Sequence, residues 1–242
     1  MKNVRIFVGA VVGLLAIGAS TFALRRYEPR RSQEHAHDLG RSRSNIELHV
    51  PRFAGGIAFD GELDEPAWTT TVARTGAFVD SAGRPGKPYS DARFMWGNGF
   101  LYLALYAADE DVQASPDSRP QSLAPADDRF HFEVTVNGKR FVFEVNPAGV
   151  VDARAFSKGV PDATWRSDLK VGHDLDGTLN DSTDDDEEWV LEMGIPLTSI
   201  GLQGVPNERM EFLVRRCDTP HRGPRMCNGW GDDGQSAVLV LE

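Results

Sequence analysis

The sequence lacks the short motifs that mark common catalytic sites. It contains no GxSxG nucleophile turn, no HExxH metal motif and no GxxxxGK[ST] phosphate loop. Its only two cysteines form no CxxC pattern, so a cysteine-based zinc site is not expected. Carboxylates are frequent, but a glycosidase needs two of them about 5–10 Å apart across a cleft, which frequency alone does not predict. These absences favour a protein that is not an enzyme.

A long amphipathic helix and an internal repeat are also missing. Short alternating apolar segments separated by Gly, Pro and Asn predict strands instead. The predicted strands are Ile46–Val50, Ile57–Phe59, Ala92–Trp96, Phe100–Ala107, Arg129–Val136, Lys139–Val145, Gly149–Phe156, Trp165–Val171, Glu188–Ile195, Arg209–Arg216 and Ala237–Leu241. Single helical turns are predicted at Asp64–Trp68 and Thr198–Leu202. Many short strands without intervening helices indicate an all-β, two-sheet antiparallel sandwich over residues 46–242.

The body of the chain has little positive charge. Residues 1–45 hold eight Lys and Arg against three acids, whereas the whole protein has a net charge of −10. The remainder is therefore strongly acidic. Because nucleic acid requires a basic surface, the sequence excludes a nucleic-acid partner and remains compatible with a neutral ligand or a divalent cation.

The amino terminus carries an apolar run from Ile6 to Leu24 after Lys2 and Arg5. Residues 1–24 fit a cleaved signal peptide, with Thr21–Ala23 as the small-x-small cleavage site, and equally an uncleaved membrane anchor helix. Both alternatives imply export, to the periplasm or the extracellular space, and the anchor implies membrane contact. Residues 25–45 are charged and poor in large apolar groups, which predicts a flexible tether.

Cys217 and Cys227 flank a loop rich in Pro and Gly. The preferred interpretation is a local disulfide, which requires an oxidising compartment. Two free thiols are the alternative.

The sequence Asn137-Gly138 predicts a tight hairpin between Arg129–Val136 and Lys139–Val145. With a two-residue turn, His131 faces Glu144 across the two strands, and the carboxylate should raise the pKa of His131. One face of the hairpin is apolar and the other is polar. The hairpin is therefore expected to lie in a sheet with one buried and one exposed face.

An acidic loop and two tryptophans are further candidates for binding. Acids crowd between Asp174 and Glu188, and carboxylate oxygens are the ligands that calcium prefers. A structural calcium site is predicted at Asp174, Asp176, Asp184 and Asp186, with a simple solvated loop as the alternative. Trp165 and Trp230 lie near Gly, Pro and polar residues, so each either stacks on a sugar ring or caps the core.

Several segments, in this order and spacing, resemble the carbohydrate-binding module family 9-like domains over about residues 57–242. They are IAFDGELDEPAW (57–68), FLYLALYAADED (100–111), RFVFEVNPAGVVDA (140–153), GTLND followed by EEWVLEMGIPLTSIGL (177–202), and RRCD before a late Trp230. The resemblance implies a β-sandwich, a non-catalytic role in polysaccharide degradation or recognition, and structural calcium in some members.

Sugar-binding members of that family clamp a terminal sugar between two Trp, assisted by a Glu, an Arg and an Asn. Here the position of the first Trp falls near Pro125, the Glu falls on His131 and the Arg on Glu144, and only Asn146 agrees. The resemblance thus implies a ligand site at His131, Glu144 and Asn146, with Trp165 and Trp230 as stacking candidates, but with altered chemistry.

Three functions remain open at this point. The first is an exported carbohydrate-binding module. The second is a structural or protein-interaction sandwich that has lost its sugar site, which the missing Trp clamp favours. The third and weakest is a hydrolase.

Overall fold

The computed structural model describes residues 46–115, 123–220, 223–230 and 237–242. Within these residues two β-sheets pack face to face, which confirms the predicted all-β sandwich. No helix among them is long and apolar enough to cross a membrane. The predicted signal or anchor helix (1–24) and the tether (25–45) lie outside the described residues.

The described strands are numbered along the chain, and their bounds are as follows. They are β1 (Glu47–Val50), β2 (Ala73–Arg74), β3 (Ser90–Gly97), β4 (Phe100–Ala108), β5 (Arg129–Val136), β6 (Lys139–Val145), β7 (Val151–Ser157), β8 (Val160–Pro161), β9 (Lys170–Asp176), β10 (Glu188–Pro196), β11 (Arg209–Asp218), β12 (Met226–Trp230) and β13 (Ala237–Leu241). A short helix, α1, spans Ala67–Thr70, and a 3-10 helix spans Leu197–Ile200.

The strands are divided between an eight-stranded and a five-stranded sheet. The eight-stranded sheet has the order β1–β13–β11–β5–β6–β7–β8, with β12 also paired to β11. The five-stranded sheet has the order β2–β3–β4–β10–β9. The pairing is antiparallel except for β1, which runs parallel to β13. The prediction of antiparallel sheets therefore holds everywhere but at that one edge.

The β5–β6 hairpin has the register that its turn predicts. Asn137 and Gly138 both have positive φ, as a type I′ turn requires, and His131 lies opposite Glu144. Alternation then buries the phenylalanines of both strands between the sheets. The opposite side of the hairpin is left as an outer, polar surface.

Two strand predictions need correction, and the short strands β2, β8 and β12 were not predicted. Residues 57–59 form no strand, because their apolar side chains pack onto the outer face of the five-stranded sheet instead. The strand predicted at Trp165–Val171 begins only at Lys170 and continues to Asp176. Strand β12 was missed, because its sequence Met-Cys-Asn-Gly-Trp has no alternation of apolar and polar residues.

The outer face of the five-stranded sheet is covered by residues 53–72, here named the cover segment. Trp68 of this segment is fully buried and packs with Met95 and Tyr102 of the sheet. Gly172 on β9 permits the close approach, since a Cβ there would lie 2.2 Å from the carbonyl carbon of Phe59. The central strands β3, β4 and β10 of this sheet are therefore buried on both faces.

Buried hydrogen bonds fasten the cover segment to the sheet through Glu192. Its carboxylate accepts from the backbone N–H groups of Asp60 and Gly61 and, at 2.6 Å, from the indole Nε1 of Trp68. Burial raises the pKa of Glu192 to about 7, despite these three donors, and the negative charge of Glu65 raises it further.

Cys217 on β11 and Cys227 on β12 are directly opposite each other and form a disulfide. The predicted pairing is thus confirmed. The bond ties β12 to the sheet at a place where the sequence has little β-propensity of its own.

Candidate functional site

The outer face of the eight-stranded sheet carries a row of polar side chains in cross-strand register. Arg215 of β11 lies opposite His131 of β5, which lies opposite Glu144 of β6, which lies opposite Asp152 of β7. We call the outer surface of β11, β5, β6 and β7 the polar face. The structure therefore places the predicted pair His131 and Glu144 at its centre.

His131 lies between two carboxylates on the polar face. Its Nδ1 is 3.5 Å from Glu144 Oε1, and its Nε2 is 3.6 Å from Glu133 Oε2. Burial by itself lowers the pKa of His131, but the hydrogen bonds and charges of Glu133 and Glu144 outweigh burial and raise it. The predicted influence of Glu144 on His131 has the expected direction.

Glu144 is shared among three basic side chains. Besides His131, it contacts Arg129 at 3.6 Å and forms a short hydrogen bond with Arg154. The hydrogen bond with His131 lowers the pKa of Glu144 to about 2, with the charges of Arg154 and Arg129 acting in the same direction. The carboxylate is therefore ionised and already engaged by the protein.

Asn146 lies beneath the polar face rather than on it. The residue is completely buried, and its side-chain Nδ2 donates to Ser115 O and to Asp127 Oδ2, while its Oδ1 accepts from Val150 N. The expected ligand contact needs a correction, because the amide that sequence reasoning placed in the site instead fixes the loops at the end of β6.

A groove of about 850 Å³ opens beside Arg215, between the β11–β12 pair and the loop 79–87. The loop is joined to β12 by backbone hydrogen bonds between Val79 and Gly229. Its polar and charged lining residues are Asp80, Ser81, Arg84, Lys87, Arg215 and Asn228, and Trp230 and Met226 also belong to the lining. In the register of β11 and β12, Asn228 and Trp230 lie opposite the buried Arg216 and Val214, on the other side of the strand pair from Arg215. Because Arg215 belongs to the polar face as well, groove and face form one surface.

The two predicted stacking tryptophans have different surroundings. Trp165 is half-buried against Phe141 and Phe143, and its indole N–H donates to Ser199 O at 2.8 Å. It therefore caps the core. Trp230 also packs on the core, stacked on Phe212 at 5.3 Å, but it lines the groove, and its indole N–H has no partner among the described residues.

Asn228 is a second polar side chain of the groove without a partner. It is only 8 % exposed, and its amide makes no hydrogen bond to another described residue.

The four acids predicted to bind calcium do not come together. Asp174 and Asp176 lie on β9 and Asp184 in the following loop, all exposed, whereas Asp186 is buried. The Asp186 carboxylate accepts from the backbone N–H groups of Val112 and Thr178, so it holds loops in place. No three of the four carboxylates lie within 4.8 Å of one another, so the structure does not bring the four predicted ligands together, and the calcium site stays a prediction.

A different acid cluster lies buried at one end of the sandwich. In the described part of the chain, Asp109, Asp128 and Asp218 are the group of three whose ligand atoms lie within 4.8 Å of each other. Burial, then the nearby Asp109, raises the pKa of Asp128 to about 8. Such a cluster is the first place to test for the calcium that the resemblance implies.

The cluster fits calcium poorly, because a buried arginine already lies among its carboxylates and most of their oxygens accept hydrogen bonds. Arg216 donates to Asp109 at 2.6 Å and to Asp218 at 3.2 Å, while both oxygens of Asp128 accept from backbone N–H groups. Calcium needs six to eight oxygen ligands. The guanidinium of Arg216 is the cation of this cluster, and a calcium requirement of the protein stays a prediction.

Comparison with known proteins supports the fold by structure rather than by sequence. No family model matches the chain, and no curated protein matches it. A proposed carbohydrate-binding protein from Bacteroides uniformis superposes with a TM-score of 0.65 at 16% identity, over 82% of this chain and 100% of the other. A carbohydrate-binding module of family 9 from Caldicellulosiruptor kristjanssonii, in complex with cellotriose, superposes at 0.56 and 12% identity, over 81% of this chain and 94% of the other. The same kind of module in complex with glucose gives 0.55 and 12%, over 81% of this chain and 96% of the other.

The chain has a family 9-like fold. Sequence reasoning found this fold and the polar face, but of the groove it named only Trp230. The groove was missed because the loop 79–87 and strand β12 are far apart in sequence and neither carries a motif. The available sequence signal for the groove was the cysteine pair, because a Cys217–Cys227 disulfide predicts that the two segments flanking this loop lie side by side.

Proposed function

We propose that this chain is an exported, non-catalytic carbohydrate-binding module. The observation that carries the proposal is the groove beside Arg215, whose lining includes the aromatic residue Trp230 together with polar and charged residues. Sugars present hydroxyl groups around an apolar ring face, and such a site matches both features. The solved neighbours with the same fold include modules that bind cellotriose and glucose.

Two specific groups are suited to recognise sugar hydroxyls. The Trp230 indole N–H can donate, and the Asn228 amide can both donate and accept. His131, adjacent to Arg215 on the polar face, extends the polar surface toward Glu144. The proposed ligand site therefore runs from the groove onto the predicted face.

The electrostatics of the polar face support binding over hydrolysis. A glycosidase needs a general acid with a raised pKa, whereas the pKa of Glu144 is lowered to about 2 and that of Glu133 is lowered as well by the hydrogen bond with His131. Both carboxylates are held in ion pairs with neighbouring cations. We therefore do not propose hydrolase activity.

Export and the biological context are parts of the same proposal. The Cys217–Cys227 disulfide supports an oxidising location, periplasmic or extracellular. We further propose that residues 1–24 direct export, as a cleaved signal or as a membrane anchor, and that the module serves polysaccharide degradation or recognition.

A structural or protein-interaction domain is the second candidate function. It is favoured by the ion pairs that occupy Glu144, since a carboxylate already bonded to Arg154 and His131 is poorly available to a sugar. This candidate predicts that a protein partner, rather than a glycan, protects the polar face.

The test is calorimetric titration of the full chain with an array of neutral and charged oligosaccharides, including cellotriose and glucose. Because the full chain carries the apolar segment 6–24, it is kept in a detergent, and that detergent must lack a sugar headgroup that would compete with the oligosaccharides. Trp230→Phe preserves the stacking on Phe212 but removes the free indole N–H, so it should weaken glycan binding about 3- to 10-fold. Trp165→Phe is the matched control, because that indole bonds to Ser199 away from the groove, and it should leave binding unchanged.

The proposal fails if the wild-type protein binds no glycan of the array. It also fails at the level of the site if both Trp variants bind like the wild type. Thermal unfolding of each variant verifies that a loss of binding is not a loss of the fold.

A further inference from the structure

The groove has a positive charge although the protein as a whole is acidic. Its charged lining residues in the described chain are Arg84, Lys87 and Arg215 against the single acid Asp80, whereas the whole protein has a net charge of −10. A local excess of positive charge on an acidic protein points to a ligand of the opposite sign.

One of the three cations is neutralised inside the loop. Arg84 pairs with Asp80, with Nη2 at 2.7 Å and Nε at 2.8 Å from Oδ2, and the other Asp80 oxygen accepts backbone N–H groups of the loop. This pair shapes the loop. The charge left for a ligand is that of Arg215 and Lys87.

Arg215 differs from the other arginines of the polar face. Arg129 and Arg154 pair with Glu144, and Arg140 pairs with Glu133 at 3.1 Å. Arg215 makes no ion pair and no side-chain hydrogen bond with any described residue, and the same holds for Lys87. Carboxylates of the polar face pair with the other three arginines, whereas no described carboxylate pairs with the guanidinium of Arg215.

The position of Arg215 is fixed by packing. Its side chain is half-buried and crosses β12 at Gly229, where a Cβ would lie 2.9 Å from Arg215 Cγ and 2.9 Å from Val214 O. Glycine at 229 therefore leaves room for the Arg215 stem. A guanidinium held in this way loses little conformational entropy when it binds a planar anionic group.

We propose that the groove binds a sugar unit that carries an anionic group, a carboxylate or a sulfate, with Arg215 as its principal partner. The fork of the guanidinium matches two oxygens of such a group, and Lys87 supplies a second positive charge across the groove. The inference rests on the proposed carbohydrate-binding function and specifies its ligand class.

The test compares matched ligands on the full chain by calorimetry. The ligands are trimers of several hexuronic acids, the same trimers with each carboxyl reduced to a neutral alcohol, and a sulfated trisaccharide with its desulfated counterpart. We expect at least one anionic trimer to bind about tenfold more tightly than its neutral counterpart, because a charge-assisted hydrogen bond is worth about 1.5–3 kcal/mol. Its affinity should fall as salt is added.

Variants that each remove one positive charge test which residue binds the anionic group of the ligand. Arg215→Gln should weaken binding of the anionic trimer about tenfold and leave the neutral trimer unaffected, and Lys87→Gln should have a smaller effect of about threefold. The matched control is Lys158→Gln, an exposed lysine in the turn between β7 and β8 at the opposite edge of the same sheet. It removes the same charge and should change neither affinity.

The possible outcomes separate the two proposals. Binding of neutral and anionic trimers with equal affinity, unaffected by Arg215→Gln, overturns the anionic ligand and leaves carbohydrate binding standing. Absence of binding to every sugar overturns both. Binding of the sulfated but not the carboxylated sugars supports the inference and identifies the anionic group as sulfate.

Discussion

The two sheets of this sandwich each place a glutamate on their outer side, and the environments of the two glutamates are opposite. Glu192 lies under the cover segment, where burial raises its pKa to about 7. Glu144 lies on the open polar face, where His131 and two arginines lower its pKa to about 2. A glutamate on the outer side of its sheet is therefore a buried hydrogen-bond acceptor in one sheet and part of an ionised surface in the other.

The difference shows that the two outer faces of one architecture can have opposite environments, one covered and one open to solvent. In the covered sheet, the central strands β3, β4 and β10 are buried on both faces, and exposed polar residues are found on the edge strand β9. The eight-stranded sheet buries one face only and leaves its charged row and the groove accessible. Substitutions on the two outer faces should therefore affect different measurements.

The largest effect is expected for Trp68→Ala in the cover segment. Trp68 is fully buried and donates to Glu192, so its loss should lower the free energy of unfolding by about 3–5 kcal/mol in denaturant titrations. Phe156→Ala is the matched aromatic control on the polar face, where the ring contacts Arg140, and should cost less than about 1 kcal/mol. Equal losses for the two variants would break the comparison between the faces.

Removal of the disulfide should have the next largest effect. Replacing both Cys217 and Cys227 by Ser should lower the free energy of unfolding by about 2–3 kcal/mol, because the bond restricts a short loop in the unfolded chain. The matched measurement is the wild-type protein with and without reductant. A stability independent of both treatments would contradict the view that the bond holds β12 on the sheet.

The pH dependence of stability should reveal Glu192. Its folded pKa lies above that of the unfolded chain, so its contribution is complete below about pH 4.5 and is lost as the pH rises through about 7. Between pH 5 and pH 8 we expect a loss on the order of 2 kcal/mol from this group. Glu144 has the opposite sign, since its contribution is lost only as the pH falls from about 4.5 through about 2.

Comparison with Glu192→Gln isolates this contribution. Other buried acids, Asp128 among them, also have raised pKa values and change stability in the same direction. The readout is therefore the difference in slope between the wild-type protein and the variant, measured by denaturant unfolding at each pH. Parallel slopes would show that Glu192 does not titrate in this range.

The smallest effect on stability is expected for Glu144→Gln on the polar face. The ion pairs that it breaks are partly exposed and should cost less than about 1 kcal/mol. The informative measurement is the titration of His131 by NMR, whose pKa should fall because one of its two carboxylate neighbours is neutral. An unchanged His131 pKa would contradict the register of the β5–β6 hairpin.

Elements were predicted correctly where the local sequence pattern, such as a turn or an apolar alternation, agrees with the tertiary contacts that the element makes. The β5–β6 hairpin is an example, since Asn137-Gly138 sets the turn and the alternation sets which face is buried. Residues 57–59 show the opposite case. Their apolar alternation is equally compatible with a strand and with a cover, and the choice depends on the sheet beneath them.

The candidate site was predicted only in part for a similar reason. His131 and Glu144 follow from one hairpin, so their pairing could be inferred locally. The groove forms only where the loop 79–87 meets β12, which lies more than a hundred residues further along the chain. A contact over that separation could not be inferred from the sequence of one protein. The sequence placed Asn146 directly after strand β6 but contained no information on its depth, and the residue is completely buried.

The disulfide also has a practical meaning for anyone who produces this protein. Cys227 forms part of one wall of the groove. In protein made in a reducing cytosol, the disulfide is not formed and that wall is not linked to β11. A glycan screen on such a preparation can report a false negative from a correctly folded sandwich. Thiol titration of each batch should therefore precede the glycan screen that tests the proposed function.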